Sequence, residues 1–178
     1  DLFSEDQIEV CKILDYWFGG DVKENYKTKW FPSGSVDMQK QADKKIHEKF
    51  SSVFQRAMNG QLNDWKKNIS SSMALIIVLD QFSRHIYRDL SPEAPERKLA
   101  DNLALQISQD ITSYSEWDKS LTLSQFVFCL MPFRHSATLS RLHFVFHEIT
   151  KKQTQQEEEK ELLLKFGKQT LRRLQNLQ

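Results

Sequence analysis

The chain has 178 residues, 39% of them hydrophobic, and a net charge of +1 from 25 basic and 24 acidic side chains. That composition supports a sizeable globular core and excludes a mostly disordered chain. The balanced charge gives no electrostatic basis for nucleic acid as a partner, and no run of about 18 apolar residues is present to form a membrane span.

Only five glycines and four prolines occur. So few turn formers over this length predict long helices rather than many short strands. Cys11 and Cys129 lie far apart and form no ligand spacing; they read as small core hydrophobes in a reducing, cytoplasmic compartment, with a disulfide between them as the alternative. No signal peptide is visible. The chain opens on Asp1 rather than Met and is expected to be one domain, 1–178, of a longer protein.

The first helix is predicted from Ser4, where Ser4 and Gln7 have capping-box spacing, to the stop at Gly19 and Gly20. A loop over 21–36 comes next, with Tyr26, Trp30, Phe31 and Pro32 pinning it to the body. The second helix is predicted from Asp37 as N-cap to Gly60, with Met38, Ala42, Ile46, Phe50, Val53, Phe54 and Ala57 at helical spacing. A short connection over 61–71 carries Leu62 and Trp65.

The third helix spans 72–89 and is the most apolar part of the chain. Helical spacing continues past Asp80 to Phe82 and Ile86, which favours a helix over a buried strand. The fourth runs over 95–112 with Pro95 in its first turn and Leu99, Leu103, Ile107 and Ile111 on one side. The fifth is expected over 121–131, stopped by Pro132, and the sixth over 136–150 with Ser136 as its cap. Thr154 and Glu157 signal the start of a last helix, reaching the C-terminus with Leu163, Phe166, Leu174 and Leu177 on its apolar side. The sum is an all-α antiparallel array of about seven helices.

Three constellations could carry chemistry. On the third helix, at 100° per residue, Leu75, Val78, Leu79, Phe82 and Ile86 share one face, and Asp80, Gln81, Arg84, Tyr87 and Arg88 share the opposite one. Asp80 and Arg84 have the favourable order for an intrahelical ion pair. Ile76 and Ile77 border the polar side and imply that it is half covered. Such a set is either a structural network or a site for an anionic ligand. The second is 131–139, where Pro132 breaks a helix and His135 is expected at the N-terminus of the next, beside free N–H groups. An ordinary turn histidine is the plainer reading. The third is His143 and His147, one turn apart; Phe144 stands where a zinc protease motif needs glutamate, and no metal is assigned. Nothing points to a cofactor.

ILDYWFGG at 13–20, KWF at 29–31, AMNGQLNDW at 57–65, ALIIVLDQFSRHIYRD at 74–89 and FVFCLMPFRHS at 126–136 occur in order. Together they resemble domain-of-unknown-function family 924, over most of the chain up to about residue 150. The resemblance implies an all-α, tetratricopeptide-like superfold and no established activity. It singles out Asp80, Gln81, Arg84, Tyr87 and Arg88, with Pro132, His135 and Ser136, as residues facing a shared pocket. The chain departs from the family pattern at Ser83 for Pro, His85 for Asn and Ala137 for Glu, which suggests a retained fold with altered function.

Two functions are compatible with these features. One is a protein-interaction or scaffold module with an unidentified protein partner. The alternative, ranked second, is a hydrolase acting on a small anionic ligand, in which Arg84 and Arg88 hold the anion, His135 is acid or base, and Asp80 orients either Arg84 or the histidine.

Overall fold

The computed structural model describes residues 3–31, 34–152 and 157–178, and these are all-α with no strand among them. The elements are α1 (Glu5–Phe18), α2 (Val22–Asn25), α3 (Val36–Met58), α4 (Ile69–Ile76), α5 (Ser83–Ile86), α6 (Pro95–Thr112), α7 (Leu123–His135), α8 (Leu139–Lys151) and α9 (Glu157–Leu177). Between α4 and α5 a π-helical segment, Ile77–Phe82, keeps the chain helical, so residues 69–86 form one rod. Counted that way, the described residues hold seven long rods plus the four-residue α2.

Several boundaries reflect their local chemistry. Ser4 caps α1 and Gln7 returns the bond, a complete capping box. Pro95 opens α6. Past α3, Gly60 sits at φ +75°, where a side chain would be strained.

Other boundaries differ from the sequence pattern. Ser35, not Asp37, caps α3. The expected loop over 21–36 contains α2 and a π-helical turn, Tyr26–Trp30. Asp21 caps α2, and the Trp30 indole N–H donates to the Trp17 carbonyl, so an anchored aromatic makes a turn of a segment that reads as loop. Pro132 does not stop α7, which continues to His135. An interior proline costs about 3 kcal/mol. Burial of the α7 side chains, Leu123, Ser124 and Phe126 through Arg134, outweighs that cost. On α6 the buried positions are Ala100, Ala104, Leu105, Ile107, Ser108 and Ile111, while Leu99 is exposed. Cys11 is exposed and Cys129 is buried; both are free thiols. The Thr154 cap lies outside the described residues.

The 69–86 rod is the centre of the core. Met73 through Asp80 are all buried, and the rod packs against α1, α3, α6 and α7. Phe82 shows how the layers lock: its ring stacks on Phe50 of α3 at 4.5 Å and meets Trp17 of α1 edge-on at 5.9 Å. Phe128 of α7 closes the same cluster against Trp17 at 5.5 Å. The charged end of the rod is thereby held rigidly against α3 on one side and α6 and α7 on the other.

Candidate functional site

The polar stripe of the rod divides into two clusters. In the π-helical segment the Ser83 N–H reaches back five residues to the Val78 carbonyl, inserting one extra residue into the turn. A uniform 100° step therefore misplaces the side chains beyond that turn. Asp80 and Arg84 meet α6 and α7, whereas His85 and Arg88 meet α3. Tyr87 packs edge-on against Phe54 of α3.

Asp80 is completely buried, not half covered. Its Oδ1 lies 2.8 Å from Nδ1 of His135, and its Oδ2 accepts from the Gln81 amide at 2.7 Å. The Arg84 guanidinium stands 3.6 Å from the Asp80 carboxylate, donates to the Asp80 backbone carbonyl at 2.6 Å, and pairs with Asp101 of α6 at 2.9 Å. Burial alone would raise the Asp80 carboxyl. The Arg84 charge, with the hydrogen bonds from His135 and Gln81, opposes it and holds the group ionised.

His135 is the last residue of α7 rather than the first of the next helix. The helix passes through Pro132, and Thr138, not Ser136, caps α8. The imidazole therefore has no helix N-terminus beside it, and its orientation comes from Asp80. Burial lowers the His135 pKa and the Arg84 and Arg134 charges add to this, against the pull of Asp80. The ring is therefore neutral near pH 7. With Nδ1 donating to Asp80, Nε2 is its basic atom. Ser136 contributes its backbone carbonyl, which accepts from Arg141 at 2.8 Å.

Two further arginines reach this cluster. Arg134, beside His135, is only 6% exposed; its Nη1 donates to Gln169 of α9 at 2.6 Å and its Nε has no partner. Burial, with Arg173 and Arg84 nearby, brings its pKa down to about 10, so it stays charged. Arg173 of α9 donates to the Arg134 carbonyl at 3.0 Å. Among the described residues, neither Arg134 nor Arg173 has a carboxylate at ion-pair distance. A neutral imidazole thus sits on a carboxylate among guanidiniums that outnumber the local carboxylates.

Sequence reasoning missed Asp101, Arg134, Gln169 and Arg173. Arg134 was within reach, since it adjoins His135 in FRHS. The other three lie on charged helix faces, and only the packing of α6 and α9 brings them in. His143 and His147 are exposed on α8, and no group of three His, Cys, Asp or Glu among the described residues is placed to hold a metal.

An all-α protein with a buried Asp–His pair under excess arginine is the class that fold and site define. The chain belongs to the family described as bacterial protein of unknown function (DUF924), whose model matches residues 13–176. Its structure is similar to that of a protein of unknown function from Agrobacterium tumefaciens, with a TM-score of 0.71 at 19% identity over 96% of this chain and 82% of that one. A comparison with curated proteins returns no match.

Proposed function

We propose that the Asp80–His135 pair and its arginines form the active site of a hydrolase acting on a small anionic ester. The observation that carries this reading is Arg134: a buried guanidinium that meets the Gln169 amide oxygen and the Phe166 ring, has no carboxylate at ion-pair distance among the described residues and an unpartnered Nε, and adjoins a neutral histidine. A buried cation is costly without a counter-charge, and a bound anion would supply one. Arg84, Arg134 and Arg173 would hold the anionic group. Nε2 of His135 would take a proton from water as the water oxygen bonds to the ester centre. The ester bond to the leaving oxygen breaks, and the imidazolium returns the proton to that oxygen. Asp80 would fix the tautomer and stabilise the imidazolium.

The interaction-module reading has less local support. Its local support is the exposed apolar side chains of α9, Leu164, Leu171 and Leu177, with no second observation that points to a partner.

The test is thermal unfolding with phosphate, pyrophosphate, sulfate and acetate, together with assays on phosphate and carboxylate-bearing esters. A ligand at a hundredfold excess over its Kd stabilises by about 2.7 kcal/mol. Stabilisation that Arg134→Gln removes, with turnover that His135→Gln removes, supports the reading. Unfolding temperatures indifferent to every anion, and no ester cleaved, would overturn it.

A further inference from the structure

A cavity of about 380 Å³ lies on the other side of the rod, lined by Tyr16, Trp17, Lys29, Lys45, His85 and Arg88 among others. None of these belongs to the Asp80 cluster. His85 and Arg88 are held in place by Asp43 of α3, through His85 Nδ1 at 2.8 Å and Arg88 Nε at 2.9 Å.

Three ammonium groups converge on the Tyr16 ring at the cavity edge. Nζ of Lys29 stands 4.8 Å from the ring centroid, Lys49 5.4 Å and Lys45 5.7 Å. Lys29 Nζ donates to the Tyr16 carbonyl at 2.5 Å, and none of the three ammonium groups makes an ion pair among the described residues. The ring's negative face attracts each cation, but the cations repel one another. Burial and the neighbouring Lys45 and Lys49 lower the Lys29 pKa, and the field of Asp15 only partly opposes them. Asp43 is engaged with His85 and Arg88. Positive charge is therefore in surplus around a cavity whose wall includes Trp17, Met38 and Ile46.

We propose that this cavity is a second ligand site, for a small phosphorylated molecule with an aromatic or apolar body. Several point charges without a fork geometry suit a phosphate dianion better than a carboxylate, which carries one charge and pairs best with arginine. The volume falls at the low end of the roughly 300–1,000 Å³ found for small-molecule pockets. The body would lie against Met38, Ala42 and Ile46 while the phosphate meets Lys29 and Lys45, with Lys49 adding charge from outside the lining. The proposal does not depend on the Asp80–His135 reading.

The test is calorimetric titration of the whole chain with adenosine monophosphate, inorganic phosphate and succinate. Lys45→Glu reverses a charge on an exposed side chain, so folding is not at stake. Saturable nucleotide binding is expected, at least tenfold weaker in Lys45→Glu. Inorganic phosphate is expected to bind more weakly than the nucleotide. No saturable nucleotide binding, or binding that Lys45→Glu leaves intact, overturns the site. Binding lost in Arg134→Gln assigns it to the Asp80 cluster and likewise overturns the proposal. Succinate equal to the nucleotide overturns the phosphate assignment.

Discussion

Asp80→Asn removes one buried charge and keeps the side chain's size. The amide oxygen can still accept from Nδ1 of His135, so the change isolates the charge. Removing one partner of a buried ion pair costs about 3–5 kcal/mol. Here Arg84 keeps Asp101 at 2.9 Å and the Asp80 backbone carbonyl at 2.6 Å, so the low end, about 3 kcal/mol, applies. At roughly 2–4 °C per kcal/mol for a chain of this size, the unfolding temperature should drop by about 6–12 °C. Asp101→Asn is the control. The Arg84–Asp101 pair is 27% and 25% exposed, so solvent screens it and its loss should cost about 1 kcal/mol or less. Denaturant titration at pH 7 with unchanged m-values measures both. If Asp80→Asn lies within about 0.5 kcal/mol of wild type, or costs less than Asp101→Asn, Asp80 is not the counter-ion of this cluster.

His135→Gln should abolish ester turnover while anion affinity stays within a few-fold of wild type; equal loss of both would make His135 a binding group rather than a base. Stability should fall as pH is lowered through about 6.5, because burial depresses His135 and His85 in the folded chain and the unfolded chain takes up those protons first. Denaturation from pH 7.5 to 5.5 reads the slope, which should be shallower in His135→Gln; a rise in stability over that range would contradict the neutral assignment. Phe82→Ala should cost about 3–5 kcal/mol, since the ring is fully buried among Tyr16, Trp17 and Phe50; a loss under about 1 kcal/mol would refute the central position of the rod.

The helical class and the α6 span were legible because periodicity and caps are local: Ser4 with Gln7, and Pro95 at the head of α6. The π-helical segment was not legible. Its i to i−5 bond to Val78 is chosen by packing, and no residue type in IVLDQF announces it. That one extra residue, together with the end of the helix at Ile86, separates Arg88 from Asp80, although a uniform helix over 72–89 puts both on one face. Pro132 misleads in the opposite direction. Its local cost is real, but the burial of α7 exceeds it, so His135 ends a helix instead of preceding one. Arg173 and Gln169 carry no local signal, since α9 looks like any solvated helix until it packs on α7.

The departure at Ala137 has a different meaning in three dimensions. Glutamate at 137 is the natural candidate for an acid near His135 when only neighbours in sequence are considered. In the structure Ala137 is exposed beyond the end of α7, and the carboxylate on Nδ1 comes from Asp80, on another element. Orientation and tautomer of the imidazole therefore need no acid at 137. His85 bears on the same question from the other side of the rod, because it repeats the arrangement with Asp43 at 2.8 Å, at a position where the sequence resemblance implies asparagine. Asparagine has no proton to exchange between pH 5 and 8, and histidine does. Its effect is separable from that of His135: His85→Asn should leave ester turnover at Asp80–His135 unchanged and shift nucleotide affinity in the Tyr16 cavity. A matching loss of turnover would mean that the two clusters act as one.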